Sequence, residues 1–264
     1  MLDKEAFLKR FVQPEDKLLL AKVLDQADLS LRRREERFTF FLSPGHIYKF
    51  SKSLEYLKGD LNICVFGGFA DAERKMIGFC PDFFDITEAD FPIKAVEIET
   101  DKRFSSSLSH RDYLGSILGL GIDRDRTGDI IINGNKALVL AMEDIADYIA
   151  ANLFKVGRTP VRCTVKDTDG IDMGTRNVKE LFSTVPSLRL DCIVSSAFGL
   201  SRGNAKALID AEKVQLNWET VTSASCEVNE GDVLSARGFG RAKVKEIKGR
   251  TKKDRIGIVI DRYV

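Results

Sequence analysis

Arg202, Lys206 and Lys213 stand at spacings of four and eleven, which on a continuous helix sets three cations on nearly one angular line. Such a row suits the phosphates of a polyanion. Three more cations, Arg237, Arg241 and Lys243, follow in a stretch where charged and apolar residues alternate as on a half-buried strand. From position 237 to 255 the chain holds nine basic residues against two acidic ones, an electrostatic footprint for a polyanion. A solvated charged face is the plainer alternative. Chemistry of other kinds has little to work with: there are two histidines and five cysteines, without Cys-x-x-Cys or His-x-x-x-His spacing. No metal and no cofactor is therefore expected.

The elements that must position these cations are legible. Leu190, Ile193, Val194 and Ala197 recur at helical spacing, and Gly199 closes that helix. Ser201 caps a second helix whose buried stripe is Ala205, Leu208 and Ile209. A strand begins at Val214, turns at Asn217-Trp218, and is followed by strands over 232–237 and 241–247. Arg189-Leu190-Asp191, Ser201-Arg202, Ala205, Ile209, Val214, Asn217, Val221, Val228 and Gly231-Asp232 make this stretch resemble the S-four RNA-binding domain, named after ribosomal small-subunit protein four. That family usually has glycine after the asparagine, where this chain has Trp218. The resemblance implies RNA contacts from Arg189, Ser201, Arg202, Asn204, Lys206 and Lys213 on the helical side and from Arg237, Arg241 and Lys243 on the strands.

A length of 264 residues suggests two or three domains. The net charge of +1 hides an asymmetry: residues 187–264 carry 14 Lys and Arg against 10 Asp and Glu, leaving 27 against 30 for the rest. The cysteines, odd in number and unpaired in spacing, read as reduced thiols of a cytoplasmic protein. Met1 to Arg10 lacks an apolar signal core and nowhere do 18 apolar residues run together, so no membrane partner is expected.

Before the basic module the order of elements predicts two further domains. Phe7, Leu8 and Phe11, then Leu18, Leu19, Leu20, Val23 and Leu24, suggest two amphipathic helices, with Pro14 opening the second. A strand over 38–42, a helix from Pro44 to about Leu57 and a buried strand over 61–66 complete a small α/β unit. From Phe91 to Asp167 the order is β-α-β-β-α-β, with a hairpin around Asn133-Gly134, which is the ferredoxin-like arrangement also used by RNA-recognition domains. Its two central strands carry no aromatic residue, so base stacking on that sheet is not expected.

Several short motifs imitate other chemistries. Lys49-Phe50-Ser51-Lys52-Ser53 is similar to the lysine loop of one aminoacyl-tRNA synthetase class, but lies without that class's upstream histidine element and reads as a helix face. His110-Arg111-Asp112 imitates a kinase catalytic loop, yet Ser109 and Asp112 more simply form a capping box. Gly119-Leu120-Gly121 ends a helix rather than following a strand, so it is no dinucleotide fingerprint. The turn Asp123 to Gly128 is either solvated or touches RNA through Arg124 and Arg126.

Ser109-His110-Arg111-Asp112-Tyr113-Leu114-Gly115, then Leu118-Gly119-Leu120-Gly121-Ile122, Gly128-Asp129-Ile130 and Ser187-Leu188-Arg189-Leu190-Asp191 resemble the YlmH family of bacterial RNA-binding proteins, from about Phe38 to the end. The resemblance implies a ribosome-associated, non-enzymatic factor for structured RNA, ribosomal RNA or tRNA, in a family tied to large subunits carrying stalled peptidyl-tRNA. The other reading is an RNA-modifying enzyme of the pseudouridine-synthase kind, a class that often carries the same module with an Arg-Leu-Asp nucleophile in a following catalytic domain; here Arg189-Leu190-Asp191 lies inside the module, where Asp191 more simply organises a helix start. The expected architecture is thus α+β and multidomain: an N-terminal α/β domain (1–85), a ferredoxin-like domain (86–167), a linker (168–186) and an S-four-type domain with basic strands (187–264).

Overall fold

The structure, a computed structural model, describes residues 2–100, 108–169, 171, 178–251 and 254–263. The chain divides into two compact units, Met1–Gly174 and Thr175–Val264.

The first unit begins with helices α1 (Lys4–Leu8) and α2 (Pro14–Arg33). Proline at the first turn of α2 lacks only an N–H that would have no helical partner, and the left-handed Arg34 ends the helix. Leu20, Val23, Leu24 and Ala27, at helical spacing, are fully buried. They pack on α3 (Pro44–Glu55) and on a three-stranded sheet of β1 (Arg37–Phe38), β2 (Leu61–Phe66) and β3 (Met76–Pro81), in the order β1-β3-β2. The strand expected over 38–42 is shorter, and Leu42 makes only an isolated bridge to Lys75.

The rest of this unit is β4 (Ile93–Thr100), α4 (His110–Leu118), the hairpin β5 (Thr127–Asn133) and β6 (Lys136–Met142), α5 (Glu143–Asn152), and β7 (Lys155–Val156) with β8 (Thr159–Lys166). The sheet order β5-β6-β4-β8-β7, antiparallel throughout, is the ferredoxin-like order with one short strand added. Val96, Ile98, Val139 and Ala141 meet Tyr113, Ile117, Ala146 and Ile149 of the helices in one core. Ile93, Ala95, Leu138 and Leu140 point the other way, into a second core with Phe41, Phe66, Met76 and Phe91. That shared core is why the expected break between 85 and 86 does not separate two units.

The second unit corrects the expected linker. Residues 178–185 form β9 (Val178–Val185), while Gly170, Gly174 and Thr175 of the same stretch lie outside the described residues. After β9 come α6 (Leu190–Phe198), α7 (Arg202–Asp210), β10 (Val214–Leu216), β11 (Glu219–Thr220), β12 (Val233–Ala236), β13 (Gly240–Arg250) and β14 (Ile256–Tyr263). They make one antiparallel sheet of order β11-β10-β12-β13-β14-β9. The strand β9 pairs along its whole length with β14, from Val185 opposite Ile256 to Val178 opposite Tyr263. One face of this sheet, with Val214, Leu234, Ala236, Ala242, Val244, Ile258 and Ile260, packs on Leu190, Ile193, Val194, Ala205 and Ile209 of the two helices. The turn at Asn217-Trp218 forms with both residues left-handed, φ 49° and 65°. Two such residues are what a tight two-residue hairpin turn requires. The Asn217 side chain fastens it by accepting from Val233 N at 2.9 Å and donating to Asp232 Oδ1 at 2.7 Å.

Among the described residues no helix is long and apolar enough to cross a membrane. The five cysteines are free thiols, and burial pushes Cys163 up to about 11.

Candidate nucleic-acid interface

The helix side of the second unit is built around one carboxylate. Asp191 lies in the first turn of α6, its backbone N–H bonded to Ala224 O at 3.2 Å, and its side chain is only 5% exposed. One oxygen accepts from Arg189 Nε at 3.1 Å and the other from Arg202 Nε at 2.8 Å. Burial alone would raise the Asp191 pKa, but the hydrogen bonds from Arg189 and Arg202 more than offset it and hold the carboxyl below its usual range. Asp191 therefore stays ionised and fixes two guanidiniums, each by its inner nitrogen. Their side chains remain 41% and 56% exposed, so two planar donor forks are oriented without being buried, the geometry that takes phosphate in bidentate fashion.

The second helix adds its own start. Ser201 Oγ accepts from Asn204 N at 3.1 Å, capping α7 one residue before Arg202. Arg202 and Lys206, one turn apart and both exposed, share a face, while Ala205 and Ile209 bury the other. Arg189, Ser201, Arg202, Asn204 and Lys206 are thus brought together.

Lys213 is not part of that row. The helix ends at Asp210, and Glu212 turns the chain into the left-handed region, φ 56°, so a spacing of eleven no longer measures a helical angle. Instead Lys213 O accepts from Arg237 N at 2.9 Å, and these two residues line a shallow cleft with Glu212, Gln215 and Ser235. Arg241 and Lys243 lie elsewhere again. They alternate along β13 with Ala242 and Val244, which are fully buried on the helix-packed face, so the two cations belong to the opposite face of the sheet. The cations expected on a helical side and on the strands thus fall in three places: a helix side, a sheet end and an outer sheet face.

The mimic motifs have structural roles. Ser109 N and Oγ both donate to Asp112 Oδ2, each at 2.7 Å, so Asp112 caps α4. Asp112→Ala is expected to lower the thermal midpoint while leaving RNA affinity of the folded protein within about twofold. Calorimetry beside a binding titration checks this, and a folded variant without RNA affinity would put a functional site there instead. The Lys49 motif lies on α3, with Phe50 and Ser53 buried and Lys49 Nζ 2.8 Å from Asp16. Arg124 donates to Thr127 O, Thr127 Oγ1 and Gly128 O, and so holds its own loop.

The middle sheet has little surface left for stacked bases. Part of its helix-free face is buried in the core with Phe41 and Phe66, and the remainder carries Lys166 and Lys136 bridged to Glu97 at 2.9 and 3.4 Å.

Comparison with known proteins shows what the chain is similar to. Three family models match: residues 15–82 match one described as YlmH, N-terminal, residues 87–169 a putative RNA-binding domain in YlmH, and residues 188–234 the S4 domain. Over 205 residues, 78% of this chain and 79% of the other, the chain is 33% identical to ribosome-associated protein quality control protein P2 of Bacillus subtilis. Among solved structures, cell division protein ylmH from Streptococcus pneumoniae is similar with a TM-score of 0.51 at 26% identity, covering 61% of this chain and 98% of that one.

Proposed function

This chain belongs to the YlmH family, and on that premise we propose that it is a non-enzymatic factor that binds structured RNA, ribosomal RNA or tRNA, on the ribosome. The observation that carries the reading is the pair Arg189 and Arg202, splayed by the buried Asp191 at the edge of two helix starts. Two oriented guanidiniums beside Lys206 and the capped N-terminus of α7 form an anion-binding surface whose donors are fixed before RNA arrives. Preorganised donors of this kind position a backbone and read no bases, which suits a protein that grips a folded RNA by its shape. The printed name of the Bacillus relative supports the ribosome as the setting, and large subunits with stalled peptidyl-tRNA are the particle to test first.

The competing reading, a pseudouridine-synthase-type enzyme, needs an aspartate that can reach a base. Asp191 is screened from solvent and has both oxygens engaged by guanidiniums. It serves as a positioning group. Crosslinking the full chain to RNA in extract and sequencing the attached fragments tests the proposal: fragments from one structured region of ribosomal RNA or tRNA are expected. A new stoichiometric nucleotide modification after incubation with that RNA would overturn the non-enzymatic reading.

A further inference from the structure

We propose that the outer face of the C-terminal sheet is a second RNA site, which holds an unpaired nucleotide segment by stacking a base on Phe182. The inference rests on the RNA-binding reading above and extends it to a different surface and a different form of RNA. Phe182 stands on β9 and is 69% exposed. Leu181 and Val185 of the same strand enter the core beneath the helices, so the two-residue period directs Glu180, Phe182 and Thr184 to the outer face.

Paired charges surround the ring, and Lys248 Nζ also stands 3.6 Å from Glu246. From β13, Lys248 Nζ sits 5.4 Å from the Phe182 ring centroid and Lys245 bridges Glu180, so both side chains reach across β14. Arg255 donates to the Thr184 hydroxyl at 3.0 Å and also to the Thr184 carbonyl. Val259, directly opposite Phe182 in the pairing register, is only 2% exposed, so this stretch of the face is a covered floor. Beside it Gly257, opposite Thr184, brings no side chain and so makes room for the Lys248 stem, whose Cβ would stand 3.1 Å from a Cβ built there. Arg241 and Lys243 continue the positive charge along the same face toward β12.

A lone exposed phenylalanine is common on proteins and alone signals nothing. Here it stands as an aromatic plane on a face where Arg241, Lys243, Lys245, Lys248 and Arg255 outnumber Glu180, Glu246 and Asp261, a pairing that single-stranded nucleic acid recognises: charge follows the backbone and the ring takes a base of any identity. A protein partner fits less well. A stable protein interface needs an apolar centre larger than one ring, and the groups around Phe182 are mostly charged.

Fluorescence anisotropy with the full chain tests the site, using a labelled oligouridylate of about ten nucleotides beside a labelled RNA hairpin. Phe182→Ala is expected to weaken oligouridylate binding by about 5- to 100-fold with the salt slope unchanged, and Phe182→Tyr to restore it, because stacking needs a ring and releases no counterion. Lys248→Ala should reduce the slope by about 0.7. Hairpin affinity should hold in all three variants. If Phe182→Ala binds oligouridylate within about twofold of the parent, the stacking site is overturned. A parent protein that binds the hairpin but not oligouridylate removes this site alone, whereas one that binds neither removes the RNA-binding reading itself. Loss of a polypeptide partner on Phe182→Ala, with oligouridylate binding intact, would give the face to protein and overturn the proposal.

Discussion

A chain carrying Arg202→Glu together with Lys206→Glu is expected to bind structured RNA about a hundredfold more weakly at moderate salt, and to leave the ribosome fraction on sedimentation. Each residue lost as a phosphate contact costs roughly tenfold, since hydrogen bonds to charged groups are the strong ones, and the new carboxylates add repulsion. The logarithmic salt slope should also fall by nearly one unit for each lost contact on duplex RNA. Arg202 is not only a surface cation, however, because its Nε also satisfies the buried Asp191 at 2.8 Å. A glutamate there would face Asp191 and loosen the start of α6. Arg202→Gln with Lys206→Glu is therefore the companion variant: glutamine can still donate to Asp191 but offers phosphate no charge and no planar fork. Arg202→Lys should recover part of the loss. If the folded companion variant co-sediments with ribosomes as the parent does at low salt, the helix side of the second unit is not the anchor. The binding surface must then lie in Met1–Gly174, at the sheet end of Lys213 and Arg237, or on the outer sheet face.

The contrast between what was legible in the sequence and what was not follows the range of the interactions. The capping box of Ser109 and Asp112 and the start of α2 at Pro14 are set by residues within a few positions of one another and stand where they are expected, while the hairpin expected around Asn133-Gly134 turns one residue later, at Gly134-Asn135 between the paired Asn133 and Lys136. The strand β3 has no alternation to read, because all six residues of Met76-Ile77-Gly78-Phe79-Cys80-Pro81 are buried. Gly78 there is a matter of space: a Cβ would stand 2.5 Å from Ile86 Cδ1 and 3.1 Å from the Phe38 ring. The strand β9 was hidden for a different reason. Its partner β14 lies 71 to 85 residues on, from Val185 opposite Ile256 to Val178 opposite Tyr263, and a mixed string such as Lys179-Glu180-Leu181-Phe182 reads as a connection until that partner is supplied. At the candidate site, residue types were legible and faces were not. Arg241 and Lys243 alternate with apolar neighbours as expected, but which side of the sheet the helices cover is a tertiary fact. Lys213 left the helical row because the chain turns at Glu212, a residue without the usual turn chemistry. Asp191 could be read as an acidic residue at a helix start, and its second role appears only when Arg202, eleven residues later, is seen to return to it.

Arg74→Met is expected to destabilise the first unit by roughly 2–4 kcal/mol, the largest stability effect of any single polar truncation argued from this fold. Arg74 sits in the loop before β3 and its guanidinium reaches three backbone carbonyls: Thr127 O from Nε at 3.1 Å, and Phe41 O and Arg124 O from one terminal nitrogen at 2.8 and 3.3 Å. Burial pulls its pKa down to about 10, with the Arg124 guanidinium acting the same way and Asp129 and Asp125 opposing, so it stays charged through the neutral range. From the other side Asp129 accepts the backbone N–H groups of Glu73 and Arg74 at 2.6 and 3.1 Å. Between these ties Gly128 lets the Phe41 ring close on the hairpin, since a Cβ there would stand 2.7 Å from it. Methionine fills much of the arginine's volume but supplies no donor, so the three carbonyls lose their partner in a half-buried site. Lysine keeps the charge without the planar fork, and Arg74→Lys should fall between the two. Denaturant unfolding of the full chain reads the result, with intact hairpin-RNA affinity in the folded variant expected because the tie lies in the first unit. An unchanged unfolding midpoint for Arg74→Met would mean that the shared core around Phe41, Met76 and Leu140 holds the N-terminal sheet to the ferredoxin-like sheet without it.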